Sequence, residues 1–239
     1  MADKETKVAD KLGNTLDALF KAGVHFGYDK SRRHPSTKNY IFGNKNRVEL
    51  FDLEKTNEAL DKALHFIEEL GRNNKVLLFA ASKFEALEAL RATALALDLP
   101  YMAGRWVGGV FTNFGEIKKR VAVLEKLREQ KEAGELSKYT KKERLMIDRE
   151  IARLEKNFAG IVSMKDLPAA LFVIDPKTEH IAVREAKDKN IPVLALANSD
   201  CDVSLVTYAI PGNDASKGSI AYVLSRVVEA YKKGKVNLQ

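Results

Sequence analysis

The chain has 239 residues, 45% of them hydrophobic and 31% charged, with a net charge of +7 and a single cysteine. That is too apolar for a disordered chain and long enough for one sizeable core, as one large domain or a domain with an appendage. An intrachain disulfide and a multi-cysteine metal site are excluded, no apolar run approaches the roughly 18 residues that cross a bilayer, and MADKETKVAD at the start carries no apolar signal core.

In chain order, LDALFKAG after Asn14-Thr15 predicts a short helix closed by Gly23. GVHFGYDKSRRHPSTKNY reads as loop. YIFG and RVELFD, on either side of Asn44-Lys45-Asn46, predict a hairpin or two short strands. Leu60, Ala63, Leu64, Ile67 and Leu70 recur at helical spacing over Thr56–Leu70 and stop at Gly71. KVLLFA (75–80) predicts a buried strand. Ser82 to Glu85 has capping-box spacing and opens a helix to about Leu97, followed by a brief strand at Tyr101-Met102.

From about Glu116 to Lys156 the chain is rich in Glu, Lys, Arg and Leu. Ile117, Val121 and Leu124, then Ile147, Ile151, Leu154 and Phe158, form two narrow stripes on either side of Gly134. Two helices joined there can bury their stripes against each other, which predicts an antiparallel coiled-coil hairpin projecting as an arm. The plainer alternative is a pair of helices packed on the main domain. The glycine cluster Gly104, Gly108 and Gly109 is expected to turn the chain at the arm's base. Beyond the arm, LFVID (171–175), a helix over Glu179–Lys189, IPVLALA (191–197), TYAI (207–210) and a helix capped by Asn213 or Asp214 restore a βα rhythm. That rhythm predicts a parallel sheet covered by helices on both faces. The expected division is a sheet domain, residues 1–110 and 160–239, and an inserted hairpin, residues 111–159.

The positive charge is clustered. Residues 21–47 carry seven basic groups against Asp29 alone, residues 48–104 carry six against ten acids, and residues 114–156 carry thirteen against nine. A solvated surface accounts well enough for the middle segment. In residues 21–47, however, Phe26, Tyr28, Tyr40 and Phe42 alternate with the cations, the combination that phosphate contact and base stacking require. Candidate RNA contacts are Lys30, Arg32, Arg33, Lys38, Tyr40, Lys45 and Arg47, with a second group at the arm's root in Arg105, Lys118, Lys119 and Arg120. This loop is expected to order only on RNA.

Catalytic chemistry finds little support. No dinucleotide fingerprint and no phosphate-binding GxxxxGK[ST] loop follows a strand. The four histidines share no HxH or HxxxH spacing, so no metal site is assigned. Asp175 and the loop Asn198-Ser199-Asp200-Cys201-Asp202 could hold an ion or a base, but such residues commonly cap turns at strand ends. No cofactor is expected. A small-molecule enzyme using Asp175 with Asp200–Asp202 and a free-standing coiled-coil module are the competing readings.

AGVHFGYDKSRRHPSTKNYIFGNKN, VELFDLEKT, KVLLFAASK, GRWVGGVFTNF, DLPAALFVIDPKTEHIAVREAKDKNIPVLALANSDCD and YAIPGNDAS, in this order, resemble the bacterial small-subunit ribosomal protein S2 family across about Leu12 to Tyr231. The resemblance implies a flavodoxin-like parallel α/β sheet with an inserted antiparallel helical hairpin. It implies a structural, non-enzymatic component of the cytoplasmic bacterial small ribosomal subunit, with no membrane and no small-molecule substrate. The implied partners are small-subunit rRNA and neighbouring ribosomal proteins, among them the mRNA-binding protein built from OB-fold repeats. Tyr28-Asp29-Lys30, Arg33-His34-Pro35 and Ser199-Asp200-Cys201-Asp202 depart from the family's usual residues, so no family role is carried onto those side chains.

Overall fold

A computed structural model describes residues 13–236. The N-terminal decapeptide from which the absence of a signal was expected lies outside them. Helix α1 covers residues 13–21. Strands β1 (Phe26–Asp29), β2 (Ile41–Lys45) and β3 (Val48–Phe51) follow, then α2 (Leu53–Arg72), β4 (Leu77–Ala81), α3 (Phe84–Leu97) and β5 (Tyr101–Ala103). Next come α4 (Phe114–Glu132), α5 (Lys141–Phe158), β6 (Ala170–Ile174), α6 (His180–Asp188), β7 (Val193–Ala197), β8 (Tyr208–Pro211) and α7 (Lys217–Val236).

β4 to β8 form a parallel sheet in the order β5-β4-β6-β7-β8. This is the doubly wound order of flavodoxin-like domains, with the strand order reversing between β4 and β6. Both faces are covered, which is why these strands read as continuous apolar runs. Leu77, Phe79, Phe172, Ile174, Leu194 and Leu196 face α2, α3 and α7, whereas Leu78, Ala80, Leu171, Val173 and Ala195 face α6 and the roots of α4 and α5. Each large side chain so buried contributes about 1.5–3 kcal/mol. α2 and α7 approach so closely that a Cβ at Gly71 would collide with the Tyr231 carbonyl.

α4 and α5 run antiparallel. Arg128 meets Glu155 at 2.9 Å and Lys131 meets Asp148 at 2.7 Å, so the register rises in one helix as it falls in the other. Ile117, Leu124, Ile151, Leu154 and Phe158 are buried, and they share one core with Trp106, Leu171 and Val183. The root of the helix pair is thus bedded on the sheet. Thr140 and Glu143 form a reciprocal capping box that starts α5.

Three expectations need correction. The segment expected as loop and as disordered without RNA contains β1 and two short 3-10 helices, Lys30–Arg32 and Pro35–Tyr40. Its ordering is offset internally, because Thr37 is fully buried and bonded to the His34 and Ser199 carbonyls. Ser82 does not cap α3, since its hydroxyl donates to the Gly104 carbonyl and to Glu179. Neither Asn213 nor Asp214 caps α7: Asn213 accepts from Ala215 N–H, and Asp214 is held by Lys83. The β7–β8 connection, where no helix was expected, contains only the 3-10 turn Val203–Leu205.

Candidate functional site

The basic N-terminal segment folds as an antiparallel sheet, β1-β3-β2. β2 and β3 are joined by Asn46-Arg47, both at positive φ (51° and 70°), as a two-residue hairpin turn of the primed type requires. The second such position favours glycine, and an arginine there is strained by roughly 1–2 kcal/mol. Its side chain is 80% exposed, with Nε 3.5 Å from Asp29. Lys30, Arg32, Lys38 and Lys45 are exposed, Tyr40 is half-buried, and Phe42 projects from β2 with 80% of its surface free. Arg32 also lies over the Tyr28 ring at 5.8 Å. Lys45 and Arg47 thus lie on the β2–β3 hairpin, and Lys30, Arg32 and Lys38 on the two 3-10 helices that connect β1 to β2. Arg33 differs, because its guanidinium bonds Glu49 at 3.1 Å and Glu49 is 1% exposed. Burial raises the Glu49 carboxyl and Arg33 offsets part of that rise. Arg33 is thus partly committed to the fold.

A buried polar network fastens this sheet to the carboxyl ends of the parallel strands. Tyr28 N–H donates to Ser199 Oγ at 2.9 Å, and His34 N–H donates to the Ser199 carbonyl at 2.8 Å. Lys83, directly after β4, places Nζ 2.8 Å from Asp175 Oδ2, 2.7 Å from Asp214 Oδ2 and 3.2 Å from the Tyr28 hydroxyl. Asn198 donates to the other Asp214 oxygen at 2.9 Å. Burial works against the charge on Lys83, but the two carboxylates outweigh it and hold its pKa well above the ordinary lysine value. Asp175 is lowered, its burial outweighed by Lys83 and Thr178, while burial keeps Asp214 above the usual carboxylate range.

This is the reversal point of the sheet, where an open α/β fold ordinarily receives its ligand. Here the chain's own Tyr28 and Lys83 occupy it. Asp175, Cys201 and Asp214 bring three donor atoms within 4.8 Å of one another, but the Lys83 ammonium already bridges the two carboxylates. Burial and Asp175 push the Cys201 thiol far up, which leaves it un-ionised and unreactive. Asp200 pairs instead with Lys177 at 2.7 Å, and Asp202 bonds Ser204.

At the root of the helix pair, Arg105 and Arg120 are exposed, Lys118 lies 4.8 Å from the Phe114 ring, and Lys119 pairs with Glu116 at 2.6 Å. This second group occupies the loop after β5 and the first turns of α4, separate from the N-terminal sheet. Gly104 and Gly109 have φ of 120° and 95°, so the cluster does turn the chain there. What holds the turn was missed from sequence: Glu185, buried in α6, accepts from the backbone N–H groups of Gly109, Phe111 and Thr112 at 2.7, 2.9 and 3.2 Å and from Trp106 Nε1 at 3.4 Å. Burial opposes its charge, and these donors more than compensate, leaving its pKa lowered. The available signal was an acid on the apolar face of a helix, between Ala182, Val183 and Ala186.

The family model for ribosomal protein S2 matches residues 19–234. The chain belongs to the ribosomal protein S2 family. Small ribosomal subunit protein uS2 of Thermus thermophilus is 42% identical over 215 residues, covering 90% of this chain and 84% of that protein. The uS2 proteins of Sulfurimonas denitrificans and Nocardia farcinica are 40% and 39% identical, covering 92% of this chain and 85% and 77% of theirs. The family is one of structural ribosomal proteins, not enzymes, which sets aside the catalytic reading of Asp175 with Asp200–Asp202. Among the described residues no helix is long and apolar enough to cross a membrane.

Proposed function

We propose that this chain is a structural constituent of the small subunit of a bacterial ribosome, in the cytoplasm, where its N-terminal sheet binds small-subunit rRNA. The single observation that carries this reading is Arg47. A strained, left-handed arginine stands at an exposed hairpin tip where glycine would relieve the fold, and retained strain of this kind points to a task for the side chain. Lys30, Arg32, Lys38 and Lys45 of the same segment add further phosphate contacts, with Tyr40 and Phe42 available to position bases. Arg33 contributes through whatever surface Glu49 leaves free. Arg105, Lys118, Lys119 and Arg120 form a second contact at the root of the arm. In this reading residues 1–110 and 160–239 are one sheet unit and residues 111–159 are an arm. Neighbouring small-subunit proteins, including the mRNA-binding protein of OB-fold repeats, dock on the remaining surface.

The buried Lys83 network supports the same reading, because it fixes the basic sheet to a rigid scaffold and so lowers the entropy lost on binding. The test is competitive incorporation. Equal amounts of unaltered chain and an Arg32→Glu/Lys45→Glu chain, both at positions exposed to solvent, are supplied during small-subunit assembly. The altered chain should be under-represented in the subunits several-fold, and equal representation would refute the assignment of this surface to rRNA.

A further inference from the structure

β8 is the last strand of the parallel sheet and has a strand neighbour on one side only. Its open side lines a solvent-open groove of about 710 Å³ bordered by the Pro35–Tyr40 turn, the start of β2 and one face of α2. That volume lies within the range of small-molecule sites. Three cations, Lys38, Lys55 and Lys62, line it against one acid, Glu58, and two tyrosines, Tyr40 and Tyr208, contribute their rings. Lys38 and Lys62 are exposed. Lys55 is oriented by its bond to the Asn39 carbonyl at 2.8 Å. Tyr208 is oriented as well, stacked on Phe66 with centroids 4.8 Å apart and planes 23° from parallel.

We propose that this groove is a nucleotide-binding site for an unpaired residue of RNA, whose base stacks on the outer face of Tyr208 while Lys38 and Lys62 hold the flanking phosphates. The site rests on the rRNA reading above and extends it from the tip of the N-terminal sheet to the edge of the parallel sheet. Each part matches one need of a single-stranded ligand. A pre-oriented aromatic ring offers stacking to any base, and lysines on either side of it track the backbone. Double-stranded RNA offers phosphates to the lysines but no free base face to the ring, since its bases are stacked on one another. An acidic peptide would meet the lysines but have no use for the ring, and β8 is a poor template for strand addition because Pro211 lacks an N–H.

Fluorescence anisotropy of the full chain with a short labelled oligouridylate, over a range of salt concentrations, tests the site. Lys38→Ala/Lys62→Ala should flatten the dependence of log affinity on log salt by about 1.4, two phosphates at about 0.7 each. Tyr208→Leu should weaken binding about tenfold and leave that slope unchanged. A reference pair, Lys45→Ala/Arg47→Ala, reports on the sheet tip. If only the reference pair weakens binding, the groove is overturned and the rRNA reading stands. If the unaltered chain binds no oligouridylate, the groove is overturned, while the incorporation experiment decides the rRNA reading separately. If polyglutamate displaces the RNA and its own binding is lost in Lys38→Ala/Lys62→Ala but not in Tyr208→Leu, the groove takes acidic peptide, and the nucleotide site is refuted.

Discussion

Lys83 and Asp214, 131 positions apart in the chain, meet with Nζ 2.7 Å from Oδ2 at the point where the sheet reverses its strand order. The same ammonium reaches Asp175 and the hydroxyl of Tyr28 in β1. One lysine thereby joins β4, the ends of β6 and β8, and the basic N-terminal sheet.

Lys83→Met should lower stability by about 3–5 kcal/mol, because it strands two buried carboxylates without their counter-charge. The folded pKa of Lys83 lies above its ordinary 10.5, so its contribution is complete below that value and fades only as pH rises through the folded pKa. Urea titration at neutral pH therefore reads the full loss. A wild-type midpoint in the variant would mean the pair is idle.

Glu179 predicts a pH dependence of the same sense, but in the acidic range. Burial raises its pKa above 4.5, only partly offset by the hydroxyl of Ser82. A raised folded pKa gives stabilisation that is complete below the unfolded value and lost as pH rises through the folded one. Glu179→Gln, neutral at every pH, should then be the more stable protein at pH 7, with its advantage shrinking as pH falls through the raised folded pKa and gone below the ordinary 4.5. Denaturant midpoints at several pH values would expose the trend, and a difference that does not change with pH would contradict it.

Removing the carboxylate that holds the glycine turn should be among the most damaging single changes. Glu185→Ala leaves the N–H groups of Gly109 and Phe111 unpaired, and bonds to a charged acceptor contribute about 1.5–3 kcal/mol each. Trp106, the only tryptophan, donates to the same carboxylate, so its emission should shift along with a loss of about 3 kcal/mol or more. An unchanged emission spectrum with unchanged stability would remove Glu185 from this role.

Arg47→Gly should separate folding from binding. Glycine relieves the left-handed turn, and the variant should gain roughly 1 kcal/mol in stability. It should also lose one phosphate contact and incorporate less well into small subunits. A variant that is no more stable than wild type would refute the strain, and one that incorporates as well would refute the phosphate contact.

The main sheet was legible because both its faces are buried. KVLLFA, LFVID and IPVLALA had no polar alternation to obscure them, and β4, β6 and β7 overlap those runs. β1 was not legible because its burial is partial and its partner, β3, lies beyond the intervening Pro35–Tyr40 turn. The basic cluster was visible by charge, yet the inward role of Arg33 was not, because its partner Glu49 lies sixteen residues on, in β3. Ser82 and Glu85 had capping-box spacing, but the tertiary pull of Gly104 and Glu179 on the Ser82 hydroxyl overrode it. Lys83, Asp175 and Asp214 are separated by long stretches of chain, and only the winding of the sheet brings them together.

The central claim is that the chain is a small-subunit protein held there substantially by charge on its N-terminal sheet. Sucrose-gradient sedimentation of a native lysate at rising salt, following this chain by antibody, tests it most directly. The expected result is co-migration with the small subunit at low salt, lost progressively as salt rises, and lost at lower salt for Arg32→Glu/Lys45→Glu. Migration as a free 26.7 kDa protein at low salt would contradict it.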